Sequence, residues 1–369
     1  MTGAIQSVIT IILFVLILGV LVVIHEFGHF LTARLANVRV LEFGIGFPPR
    51  AKVLRAKGET LYTLNWLPIG GFVKLEGEDG NDANDPRSFA AQRLPTKLGI
   101  LVAGVAMNVV LAFAIFTGIA WLASPYVGVR FFEIQPESPA ATAGLQPGDA
   151  IVAIDGERYQ FLTGPSPLTG LRSRAGETIV LTIDDQAGTR RDVSVSLRSE
   201  AEIDANKGAL GISSIEQPFE GYFYGDYAQN DLPAAVAIGA RETGRWMGLI
   251  VGGLASLVAS VANDPTAPPP VAGPIGIATQ IGDIFWNTGP IMTLFVAGIL
   301  SANLAVVNIL PFPPLDGGRM LVITLKRIFG ERISLRAERL TYVVGFVFLF
   351  TFLIWITGFD IARGLSGGS

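Results

Sequence analysis

From Ile5 to Ile24 the chain reads IQSVITIILFVLILGVLVVI, twenty residues without a charge. An uninterrupted apolar run of that length spans the hydrocarbon of a bilayer when it is helical, because every backbone N–H and C=O then bonds within its own segment. Three more such runs follow, at Leu98–Leu122, Ile291–Leu310 and Leu340–Ile356. With 50% of residues apolar and 16% charged, the composition agrees with an integral membrane protein. The net charge of −4 gives no sign of a nucleic-acid partner. No cysteine occurs, which excludes disulfides, thiolate metal sites, iron–sulfur clusters and cysteine nucleophiles. The first run lacks a basic leader and a small-residue cleavage site, so it reads as a retained span.

Cation placement orients the spans. The connection after the first run carries Arg34, Arg39, Arg50, Lys52, Arg55, Lys57, Lys74, Arg87, Arg93 and Lys97. The connection after the third carries Arg319, Lys326, Arg327, Arg332, Arg336 and Arg339. Both are expected on the cytoplasmic side, with both termini and the segment from Ser124 to Gly289 outside. A fifth apolar stretch, WMGLIVGGLASLVASVA at Trp246–Ala262, is short and follows Arg241, Glu242 and Arg245. A crossing there would put one basic connection outside, so it reads as an interfacial amphipathic or re-entrant helix.

The external segment opens with a soluble module. ESPAATAGLQPGDAIVAIDGE (Glu137–Glu157) combines a helix-like piece, a Gly-Asp turn and an apolar strand, and ETIVLTIDD and RDVSVSLRS alternate as strands do. The pattern resembles a PDZ domain at Ser138, Pro139, Ala140, Ala143, Gly144, Leu145, Gly148, Asp149, Ile151, Ile154 and Gly156. PDZ domains take peptides by strand addition, and the matching loop lies near Val127–Val129. A peptide ligand and a plain spacer or size filter are both open.

The first span ends in VLVVIHEFGHF (Val20–Phe30), which holds the only two histidines of the chain. On a helix, residues four apart share a face, so His25 and His29 can reach one ion. Glu26 lies beside that face, where a carboxylate can deprotonate a zinc-activated water. Ionisable groups cost about 2.5–3.5 kcal/mol each at membrane depth and persist when ligated, paired or used. The third ligand should be another polar group at that depth. NILPFPPLDGGRM (Asn308–Met320) ends the third run with Asp316 as its only carboxylate. Pro311, Pro313 and Pro314 stop the helix there. Asp316 reads as a ligand, as the cap of the helix that follows, or as both. The first and third runs both point inward by the charge rule, so the two half-sites share one depth.

HExxH in the first span, a PDZ-like module outside and NxxPxPxLDGG in the third span together resemble the site-2 protease family of zinc intramembrane metalloproteases. FGIGFPP (Phe43–Pro49), LNWLPIGGFVKLEGE (Leu64–Glu78), GVAMN (Gly104–Asn108) and GPIGIA (Gly273–Ala278) extend the resemblance over most of the chain. It is similar to the bacterial sigma-E-regulator proteases, many of which carry two PDZ domains where this chain has one. The resemblance implies that His25, His29 and Asp316 bind Zn²⁺ and that Glu26 is the general base. It also implies substrate-binding roles for Asn108, Asn308, Gly70 and Gly71. The last two lie in LYTLNWLPIGGFVKL, which alternates as a hairpin and matches the sheet that pairs with extended substrate in that family.

The expected fold is a membrane α-helical protein with four spans, a membrane-associated β-hairpin and one extracytoplasmic PDZ domain. The expected segments are 1–33 (first span), 34–97 (cytoplasmic loop and hairpin), 98–123 (second span), 124–200 (PDZ), 201–287 (connector), 288–318 (third span), 319–339 (basic loop) and 340–362 (fourth span). The expected activity is endoproteolysis of single-pass membrane proteins in or near their spans, of the regulated kind that acts on anti-sigma-factor-like substrates. The expected location is the bacterial inner membrane, with lipid and substrate spans as partners. A catalytically silent PDZ-bearing scaffold is the alternative, and such a protein would be expected to lose one of His25, Glu26, His29 and Asp316. A metal transporter would want polar groups strung along a path, and only one cluster is present.

Overall fold

Five helices among the described residues are long and apolar enough to cross a membrane, one more than the four spans expected. The computed structural model describes residues 2–56, 58–78, 84–204, 207–216, 219, 221–264, 266, 268–330 and 335–365. Lys57 and Arg332, two cations of the orientation argument, lie outside the described residues, as do the side chains of Arg336 and Arg339. In chain order, helix α1 (Thr2–Leu35) precedes strands β1 (Val40–Arg55) and β2 (Leu61–Leu75) and helix α2 (Leu94–Leu122). A β-rich stretch follows, with β3 (Ser124–Ile134), α3 (Pro139–Thr142), β4 (Ala150–Ile154), β5 (Tyr159–Gln160), α4 (Pro167–Ser173), β6 (Thr178–Asp184), β7 (Arg190–Ser196), β8 (Ile212–Ile215) and β9 (Tyr222–Ala228). Helices α5 (Leu232–Asn263), α6 (Pro274–Thr288), α7 (Pro290–Asn308), α8 (Asp316–Phe329) and α9 (Leu335–Leu365) come last. The chain divides into a unit of residues 1–116 with 240–369 and a unit of residues 117–239.

In the first unit, α1 has no proline and no charge before His25, so nothing interrupts its backbone bonding. It ends where Asn37 takes a left-handed φ of 58° and Val38 N–H returns to the Ala33 carbonyl at 2.8 Å, a common helix stop. Helices α1 and α2 meet at Gly28, where a Cβ would run into the Ala103 carbonyl. Such close approach needs a small residue.

The expected hairpin is more folded than its sequence suggests. Phe43 of β1 pairs with Val73 on one side and Tyr62 on the other, and Ile45 pairs with Gly71 and Leu64. The far half of β1 returns to pair again, with Arg50 opposite Asn65 and Val53 opposite Thr63. Both strands therefore bend double into four arms, ordered 71–75, 40–45, 61–65 and 50–55. The bends use Gly46 (φ 78°) and Gly70 (φ 86°), conformations that cost glycine little. The 71–75 arm lies at an edge of this sheet, with no further strand beside it among the described residues. Phe30, Val40, Leu75, Phe89 and Ile100 pack as one core between sheet and helices.

Helix α5 carries the stretch expected to be interfacial inside one continuous 32-residue helix. Within the first unit its Trp246 ring meets Phe295 of α7 at 5.9 Å.

The second unit is built around β3. Phe131, Leu145, Ile151, Ile154, Leu181, Ile183 and Leu210 fill its core. Ser138 caps α3 by accepting from Ala141 N–H at 3.2 Å, with Pro139 in the first turn. The expected boundary at residue 200 falls short. Strands β8 and β9 complete the far edge of β3, through Phe131 opposite Ile215 and Val127 opposite Phe223. The expected peptide loop at Val127–Val129 lies inside β3, and Val127 is paired on both sides, to Tyr159 and to Phe223. Among the described residues, Val127 itself therefore leaves no open edge for an added peptide.

Candidate metal centre

His25 and His29 sit one turn apart toward the C-terminal end of α1, and both are buried. Their rings stand edge-to-face, with centroids 4.8 Å apart. Asp316 reaches the same point from the first turn of α8. Its Oδ2 lies 3.0 Å from His25 Nε2 and 3.2 Å from His29 Nε2, and the two Nε2 atoms are 3.2 Å apart. The local sequence explains how Asp316 gets there. The prolines end α7, and the chain wraps so closely over the start of α8 that a Cβ on Gly317 would run into the Ile309 and Leu310 carbonyls. A Cβ on Gly318 would run into Phe312 and Pro313.

These atoms fit a metal ion. Ligand atoms at zinc-like bond lengths in a tetrahedral site stand about 3.3 Å apart, close to the three separations here. Asp316 Oδ2 is buried, and both Nε2 atoms face it at 3.0 and 3.2 Å; one cation between the three would satisfy all of them. His29 Nδ1 is 2.8 Å from the Ile100 carbonyl oxygen, which can only accept. That bond puts the hydrogen on Nδ1 and leaves the Nε2 lone pair free. Gly104 of α2 leaves the rings their space, since a Cβ there would meet both imidazoles. His25, His29 and Asp316 form the one such metal-capable group among the described residues.

Glu26, His29 and Asp316 line a single cavity of about 240 Å³ with Gly71, Phe72, Val73, Glu78 and Arg319 among its other walls. Glu26 is thus on hand for a water inside it. Gly71 belongs to the edge arm of the sheet, and a Cβ there would lie 3.7 Å from Glu26 Cγ. Gly70 serves the bend instead: its neighbour is the Phe47 ring, and it is not among the cavity walls. Asn108 is fully buried on α2, with its side-chain nitrogen 3.2 Å from His25 Nδ1. Asn308 is half-buried at the end of α7, and no hydrogen bond joins it to the cluster among the described residues.

Four contributors were not expected from the sequence. Gly104 was visible only as part of GVAMN. The Ile100 carbonyl is a backbone group and has no sequence signature. Glu78 and Arg319, 2.7 Å apart on the cavity wall, lie on elements distant in sequence.

The profile of Peptidase family M50 matches residues 13–352. The chain is 27% identical to the zinc metalloprotease RasP of Geobacillus kaustophilus, over 97% of this chain and 99% of that one. It is 31% identical to a protein of Clostridium acetobutylicum named as a candidate zinc metalloprotease, over 96% and 98% of the two chains. A protein of Agrobacterium fabrum with the same description is 28% identical over 95% and 94%.

Proposed function

Because the chain belongs to Peptidase family M50 and is a zinc metalloprotease of the membrane, we propose that it hydrolyses a peptide bond in or beside the transmembrane segment of single-pass membrane proteins. In this reading His25, His29 and Asp316 hold the zinc and Glu26 is the general base. The observation that carries it is the meeting of three ligand atoms from α1 and α8, with His29 and Asp316 on a cavity that Glu26 also lines.

Zinc bound there supplies Lewis acidity to a carbonyl and acidifies a water. Glu26 takes the proton that the attacking water loses as its oxygen bonds to the scissile carbon. Glu26 then delivers that proton to the leaving nitrogen as the C–N bond breaks. The products are a carboxyl terminus and an amine. Extended substrate is read onto the open edge of the 71–75 arm, beside Glu26. A helix must unwind before its peptide bonds are reachable, and a strand edge re-pairs the freed backbone.

The topology we propose has four crossings, by α1, α2, α7 and α9, in the bacterial inner membrane. The ligands of α1 lie at its inner end, so Asp316 requires α7 to run in the same direction. An even number of crossings must therefore separate α2 from α7. A single crossing by α5 would break that parity, which supports reading α5 as lying along the outer surface. The PDZ-like unit and both termini are then extracytoplasmic, and the substrates are anti-sigma-factor-like proteins already trimmed outside. Any peptide it binds must use an edge other than that of Val127.

The test is cleavage of a tagged single-pass substrate in detergent by the purified chain and by Glu26→Gln, with zinc content measured on both. The reading requires cleavage by the parent alone, with about one zinc in each. Cleavage by both proteins, or no zinc in either, overturns it.

A further inference from the structure

His25 and His29 offer Nε2 to the same point, but their other ring nitrogens face opposite kinds of partner. His29 Nδ1 faces a carbonyl oxygen at 2.8 Å. His25 Nδ1 faces the side-chain nitrogen of Asn108 at 3.2 Å. An amide nitrogen only donates. In this arrangement Asn108 donates to Nδ1, and the hydrogen of the neutral ring lies on Nε2, which is 3.0 Å from Asp316 Oδ2. Such a ring has no lone pair to give a metal. At the same time Asn108 Oδ1 is buried with no hydrogen-bond partner.

The two ends of a carboxamide have the same shape, and turning the group over exchanges them in place. Oδ1 then faces Nδ1 and accepts its hydrogen, and Nε2 is freed. Ligation at Nε2 demands this arrangement, because a ligating imidazole carries its hydrogen on the other nitrogen. Asn108 is the partner recorded for that nitrogen.

We infer that Asn108 is the positioning residue of His25: its side chain accepts from Nδ1–H when zinc is bound. The inference rests on the reading of His25 as a ligand. It gives Asn108 a different duty from the substrate contact expected from its motif. A purely architectural role is already met elsewhere, since Ser301 of α7 donates to the Asn108 backbone carbonyl at 2.8 Å. That bond survives any side-chain replacement.

The experiment measures zinc affinity of the full chain in detergent by chelator competition, for the parent, His25→Ala, Asn108→Asp and Asn108→Leu. An aspartate can only accept, so Asn108→Asp should hold zinc within about threefold of the parent, while Asn108→Leu should lose about 10–100-fold. Equal affinity for all three versions of residue 108, or Asn108→Asp as weak as Asn108→Leu, overturns the inference. If His25→Ala binds as well as the parent, or the parent binds no zinc, the ligand reading itself fails. A second readout does not depend on the folding of Asn108→Leu. The chain has two histidines, so ¹⁵N-labelled histidine reports both rings directly. Zinc-loaded parent should show hydrogen on Nδ1 of both, and a bare Nδ1 on His25 overturns the inference.

Discussion

Asp316 carries a burden that its motif alone does not convey. Its Oδ2 is buried with two imidazole nitrogens within 3.2 Å, so its negative charge has meaning only when a cation is shared. We expect Asp316→Asn, which keeps the shape and removes the charge, to lower zinc affinity by roughly 100-fold or more, beyond the effect of losing an outer partner; chelator competition reads it. Gly104 is the second case. A methyl there must occupy the space of both rings, so Gly104→Ala should lose zinc while the protein still inserts and purifies. Metal content per folded chain decides this, and full zinc occupancy in Gly104→Ala would show that the rings have room to move. The histidines and Glu26 could be read from sequence because ionisable groups are rare in an apolar run. Gly104 could not, since glycines are frequent in membrane helices and only the packing distinguishes this one.

At the scale of elements, two contacts are more specific than the segments that make them. The edge arm at 71–75 lies so close to β1 that a Cβ on Gly71 would stand 2.9 Å from the Gly44 carbonyl, with Glu26 Cγ of α1 3.7 Å away on the other side. Gly71→Ala should therefore displace the arm from Glu26 and slow cleavage while leaving zinc affinity unchanged; a parallel fall in both would place Gly71 in support of the metal instead. At the other end, α6 has glycine rather than a capping side chain at its start. Asp360 of α9 supplies the cap, accepting from Gly273 N–H at 3.1 Å and Gly276 N–H at 2.8 Å. A carboxylate at a helix N-terminus also meets the positive end of the helix dipole. Asp360→Ala leaves two N–H groups unpaired and should cost about 1–3 kcal/mol. It should lower the thermal midpoint and speed proteolysis between residues 263 and 274, and an unchanged cutting rate would count against the clamp. GPIGIA was legible as a motif, but its partner lies over eighty residues away, so the contact was not.

Across the whole molecule, the proposed topology turns on how many helices cross. The chain contains no cysteine, so single introduced cysteines report sidedness cleanly. With an impermeant thiol reagent on intact cells, Glu200→Cys and Ala262→Cys should label, and Arg327→Cys should label only after permeabilisation. Protection of Ala262→Cys would mean that α5 crosses. Length, apolarity and the HExxH and LDGG motifs depend on local composition and spacing, which is why the membrane class, the zinc chemistry and the ligand candidates could be read from sequence alone. Sequence pattern also revealed the alternating strands of the β-rich unit. Other features depend on which segments meet. Strands β8 and β9 are short and follow no clear alternation, yet they close the edge of β3 that holds the loop matched to PDZ domains. Both strands of the supposed hairpin pair twice, an outcome set by left-handed glycines and by packing on α1. The tautomer of each histidine depends on a carbonyl and a carboxamide on α2, more than seventy residues from the motif. Sequence by itself determined the chemical groups available and the solvent they face; the tertiary structure alone decided which of them share a site, because hydrogen bonds and close packing act through space between residues whose separation along the chain carries no signal.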